Sequence, residues 1–116
     1  MPRTNPLLAF CLSLPNATRE TKWGNDRCFC IGGKMFAAFD TNHGDYATFK
    51  TTPETFALLT QQPGMRPASY AARLHWVAVR DAKALPRPAL QDLIEESYQL
   101  VAAKLPRKVR NKLGIV

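Results

Sequence analysis

Acid is what this chain is short of. Its 116 residues carry nine Asp and Glu against sixteen Lys and Arg, a formal net charge of +7 with an isoelectric point near 9.7. The imbalance is local. Residues 1–50 hold six cations and four acids and residues 51–100 hold five of each, whereas residues 101–116 hold five cations (Lys104, Arg107, Lys108, Arg110 and Lys112) and no acid. A clustered excess favours an anionic partner, nucleic acid being the commonest, although cations also suit the C-terminal end of a helix. Histidine is equally scarce, with His43 and His75 alone. The three cysteines are an odd count, and Cys28 and Cys30 point to the same side of an extended segment, a poor geometry for a mutual bridge. Without a second CxC or CxxC pair they do not make a zinc site either. Three reduced, packed thiols and a cytoplasmic setting are the expectation. Glycine-rich phosphate loops, GxGxxG and HExxH are absent. No apolar run reaches membrane-spanning length, and the short apolar stretch after Arg3 is interrupted by Ser13, which suits a first amphipathic helix better than a leader.

What is present is ordinary globular composition, with 46% hydrophobic residues. Leu7, Leu8, Phe10, Cys11 and Leu14 fall at helical spacing between Pro6 and Pro15, and a polar connector follows. Gly32-Gly33 between two apolar runs predicts a tight hairpin. "YATFKT" predicts a third strand, with Ala47 and Phe49 inward and Tyr46, Thr48 and Lys50 outward. Thr52-Pro53-Glu54 is a helix start, and Pro63-Gly64 its end. "MRPASYAAR" reads as a loop or short turn of helix, "LHWVAVRD" as a strand, and Leu90 to Leu105 as a last helix with a buried stripe. The order is α–β–β–β–α–β–α, with or without one more short strand. It predicts one α+β domain over residues 1–116, an antiparallel sheet with helices packed on one face. The basic segment 106–116, cut from the last helix by Pro106, is expected to be mobile.

Little of this carries reaction chemistry. Ser69, His75 and Asp81 lie in one stretch, but no spacing brings them together, and a hydrogen-bonded structural histidine is the expectation for His75. Glu95 and Glu96 diverge on a helix and cannot share a proton or a metal. The remaining feature is cationic. Arg27, Lys34 and Lys50 sit on or beside hairpins, Arg66 and Arg73 flank the fourth strand, and Arg107, Lys108, Arg110 and Lys112 end the chain. These nine are the candidates for phosphate contact, with solvated side chains as the alternative. Tyr46, Tyr70 and Trp76 stand near them and could stack on bases, though core packing is the expectation for Trp76.

Taken together, "SLPNATRETKWG", "GGKMFAAF", "FKTTPETFALL", "PGMRPASYAARLHWVAV" and "LIEESYQLVAAKLP" resemble the MmcQ/YjbR family of small bacterial proteins, in order and spacing, from Leu12 to Pro106. The resemblance implies a CyaY-like α+β fold. It also implies DNA binding by a "double wing", in which β-hairpins project toward nucleic acid, and it attaches no reaction. The sequence reading is therefore a monomeric, non-catalytic DNA-binding protein without metal or cofactor. The alternative is a protein- or ligand-interaction module using the sheet face or a groove near Trp23 and Trp76.

Overall fold

The turn at Gly32-Gly33 sets the sheet. Both residues take positive φ, 57° and 82°, as a two-residue hairpin with the native strand twist requires. The computed structural model describes residues 6–22, 26–39, 46–68, 74–81 and 83–114. Along the chain run α1 (Pro6–Ser13), β1 (Ala17–Lys22), β2 (Asp26–Ile31), β3 (Lys34–Phe39), β4 (Ala47–Lys50), α2 (Pro53–Leu59), β5 (Met65–Pro67), β6 (Trp76–Val79), α3 (Arg87–Ala103) and α4 (Arg107–Leu113). The strands form one sheet in the order β1-β2-β3-β4-β6-β5, every pairing antiparallel.

The helices cover one face. Leu7, Leu8 and Cys11 of α1, Leu59 of α2 and Leu90, Ile94, Tyr98, Val101 and Ala102 of α3 close over Phe29, Ile31, Phe36, Phe39, Phe49, Val77 and Val79 from the sheet. Thr52 caps α2 as its sequence predicts, its Oγ1 accepting from the Thr55 N–H at 3.2 Å. A β-bulge in β3 explains a run that strict alternation could not. Phe29 opposes Ala37 but Cys30 opposes Met35, so Phe36 is the extra residue, and it joins Ala37 in the main core. Met35 then returns to the opposite face, where it packs against a second cluster of Ala68, Trp76 and Ala78.

Three elements are not placed by the sequence reading. The polar connector is strand β1. It is an edge strand whose Thr18, Arg19 and Glu20 are exposed, so it has no apolar face to announce it, and its charges discourage further pairing. The loop after Gly64 contains β5, three residues on the other edge, where Pro67 forfeits no needed ladder bond. The third is the basic end. It is not a mobile tail: Pro106 opens helix α4 instead of ending order, and Gly114 closes it in the left-handed conformation. Val109 and Leu113, one turn apart, pack against the main core. Asn16 Nδ2 donates to the Leu113 carbonyl at 2.9 Å, pinning the end of α4 to the α1–β1 turn.

Candidate functional site

Antiparallel pairing brings the start of β3, the end of β4 and the start of β6 to the same end of the sheet. The last turn of α3 comes down over that end. Between them lies a cleft of about 230 Å³. Lys34 contributes from β3, Lys50 from β4 and Lys104 from the C-cap of α3. Its remaining described walls are Met35, Trp76, Val101 and Leu105, so three ammonium groups meet an apolar, partly aromatic surface, and no carboxylate lines it among the described residues.

The placement of Lys50 has a local cause. The β3–β4 ladder stops at Ala37 opposite Phe49, beside the Phe36 bulge. There the fully buried Ser97 hydroxyl donates to the Phe36 carbonyl at 2.6 Å and accepts from the Lys50 N–H at 2.9 Å. One hydroxyl thus stands in for a strand-to-strand bond and fixes the backbone of Lys50 at the mouth of the cleft. The ammonium of Lys50 is held below its usual pKa, first by burial, then by the positive charge of Lys104 and a side-chain hydrogen bond with it. Lys50 and Lys104 are therefore neighbours of like charge.

Trp76 belongs to the second cluster rather than the main core, and it reaches the cleft at the end of the sheet. It is 9% exposed, and one side of its environment is the Ala68, Ala78 and Met35 cluster while another is the cleft. It packs, as expected, and also lines a cavity, which the sequence does not reveal. His75 precedes β6 rather than opening it, with φ of 66°. Its carbonyl accepts from the Thr51 N–H at 2.9 Å and from Thr51 Oγ1 at 2.7 Å, and its ring meets Phe56 edge-on at 5.6 Å. Asp81 lies beyond the other end of β6, where its Oδ1 accepts from the Lys83 N–H at 2.8 Å. Six residues of mostly extended chain, roughly 20 Å, separate the two, so they form no catalytic pair. Ser69 falls outside the described residues.

The candidate cations divide. Lys34 and Lys50 come together, joined by Lys104, which the sequence reading counted as charge but did not single out. Arg107, Lys108, Asn111 and Lys112 are exposed on α4, whose Val109 and Leu113 turn to the core. Arg110 is half-buried, and its Nε has no hydrogen-bond partner. Arg27 sits at the far end of the sheet, opposite Phe39, and Arg66 on the edge strand opposite Ala78. Both make further polar or electrostatic interactions within the fold. Arg73 lies outside the described residues. The hairpin tip is not a free wing. A Cβ built on Gly32 would come within 2.8 Å of Leu105 Cδ1 and 3.1 Å of Val109 Cγ1, so the turn rests against the α3–α4 junction. Lys34 is exposed beside that junction.

Among the described residues, no group of three His, Cys, Asp or Glu side chains could hold a metal ion, and no helix is long and apolar enough to cross a membrane. Cys11, Cys28 and Cys30 are buried and form no disulfide.

Comparison with known proteins follows the fold. The YjbR family model matches residues 12–100. The uncharacterised protein YbdF of Escherichia coli O157:H7 is 30% identical over 88 residues, covering 73% of this chain and 71% of YbdF. The crystal structure of Deinococcus radiodurans protein DR2400, with a DUF419 domain, superposes with a TM-score of 0.81 at 26% identity, over 95% of this chain and 86% of that one. A Pseudomonas syringae protein of known structure superposes at 0.66 and 19% identity, over 83% of this chain and 96% of its own, a likeness of fold.

Proposed function

From a chain that belongs to the YjbR family, and some of whose cations, Lys34, Lys50 and Lys104, meet at one end of the sheet, we propose a non-catalytic cytoplasmic protein that binds DNA through its phosphates. The observation that carries this reading is the outer face of α4. Arg107, Lys108 and Lys112 are exposed there, on a helix whose Val109 and Leu113 turn to the core, next to Lys34 and Lys104 at the cleft. A rigid row of cations loses less entropy on meeting a phosphate backbone than a flexible tail would. Such contacts give affinity and register without base identity. Buried, unbridged thiols fit a reducing compartment.

The test is a salt titration of binding to one duplex, comparing the parent with R107Q/K108Q/K112Q. Each lost phosphate contact flattens the dependence of log affinity on log salt by roughly 0.9, so a change of about one to three is expected. Equal slopes at equal affinity would remove α4 from the interface, and no duplex binding at low salt would end the reading. A second reading, recognition of a small ligand, is favoured by the cleft itself.

A further inference from the structure

The α4 face is convex and open, whereas the lysine cleft is concave and small, and the two suit different ligands. We propose that the cleft formed by Lys34, Lys50, Lys104 and Trp76 is a binding site for a phosphomonoester dianion carrying a planar apolar body, as in a nucleoside monophosphate or the 5′-phosphate end of a nucleic acid strand. Three elements of the fold deliver one ammonium each to a cavity of about 230 Å³, and among the described residues no carboxylate lines it to neutralise them. Lys50 and Lys104 lie side by side, a repulsive arrangement in which Lys50 is also partly desolvated. The fold holds it nonetheless, with the Ser97 hydroxyl clamping the Lys50 backbone. An oxyanion between the ammonium groups converts that repulsion into charge-assisted hydrogen bonds. The charge count favours a dianionic terminal phosphate over the single charge of a phosphodiester. The walls identify the rest of the ligand: beyond the lysines the cavity is bounded by Trp76, Met35 and Leu105, which offer an indole and apolar contact to an aromatic ring and nothing to pair with a second charge. The site stands apart from the α4 reading, since none of its lining residues lies on α4.

The experiment uses the full chain and measures thermal shift and isothermal titration with AMP, cyclic AMP and adenosine at fixed ionic strength. AMP is expected to raise Tm and bind at least tenfold more tightly than cyclic AMP, which has the same base but a singly charged diester, and adenosine is expected to bind more weakly still. K50Q and K104Q should each weaken AMP at least tenfold while leaving the ligand-free Tm equal to or above the parent's, because each removes a like-charge neighbour. Lys34→Gln, at an exposed strand start, provides a third variant whose folding is not at issue, and it should weaken AMP several-fold. The two sources of the phosphate are separated by single-stranded oligonucleotides with a 5′-phosphate or a 5′-hydroxyl. A tenfold preference for the phosphorylated strand assigns the cleft to strand ends, and equal binding of both with AMP retained assigns it to free mononucleotides. Equal response to AMP and cyclic AMP, no response to AMP, or AMP binding unchanged in K34Q and K50Q would each overturn the proposal.

Discussion

At the residue scale, single buried polar groups hold more of this fold than their number suggests. Ser97 serves two backbone groups at once, and replacing it leaves the Phe36 carbonyl and the Lys50 N–H without that partner. An unsatisfied buried group costs about 1–3 kcal/mol, so Ser97→Ala should lower stability by about 2–4 kcal/mol with an unchanged urea m-value. A loss under about 0.5 kcal/mol would mean that neighbouring groups re-pair. Cys11 gives a pH prediction. Burial pushes its thiol from 9.0 up to about 12. A raised pKa favours the protonated form in the fold, so its contribution is complete below pH 9 and is lost as pH rises from 9 toward 12, where the unfolded chain ionises first. Stability should therefore fall on the alkaline side, and the difference between parent and Cys11→Ala should shrink across that window. A difference independent of pH would refute the assignment. Burial of Tyr98 acts with the same sign, its phenol raised while its hydroxyl donates to the Pro15 carbonyl at 2.6 Å.

At the scale of elements, the hairpin and the last helix support each other. Gly32 and Gly33 share a turn and a positive φ, but a side chain on Gly32 meets Leu105 and Val109, while one on Gly33 meets nothing within 4 Å. Gly33→Ala should cost only the backbone term of about 1–2 kcal/mol, and Gly32→Ala that term plus about 1–3 kcal/mol of overpacking. Comparison of the two midpoints isolates the docking of α4, and equal losses would show that α4 yields freely. Trp76→Ala tests the second face of the sheet. Its cluster with Ala68, Ala78 and Met35 should make the loss about 3–5 kcal/mol. A variant that melts with the parent would show that the indole serves only the cleft.

At the scale of the whole molecule, charge and stability separate on α4. Removing residues 106–116 strips Val109 and Leu113 from the core and the Asn16 contact from the α1–β1 turn. Truncation should lower Tm markedly, whereas R107Q/K108Q/K112Q should leave Tm within a few degrees because those side chains are exposed. If truncation leaves Tm unchanged, α4 is an appendage. Any test of DNA binding by truncation alone would mix unfolding with lost contacts, so the charge variant is the informative one.

Much of this was legible along the chain, because it depends on local chemistry. Gly32-Gly33 announces its turn through positive φ, Thr52-Pro53 its helix through the cap, and Leu90 to Leu105 its buried stripe through periodicity. The motifs spread from Leu12 to Pro106 pointed to the family, and the α+β class followed from the order of the elements. What escaped has no local signature. β1 is polar on both faces because its stability comes from the neighbour it pairs with, and α4 shows only two apolar residues among its cations because one stripe is all it buries. The cleft is the extreme case. Lys34, Lys50, Trp76 and Lys104 lie far apart in sequence and belong to four different elements. Only antiparallel register, the Phe36 bulge and the reach of α3 across the sheet bring them to one place, and register and packing are properties of the folded chain.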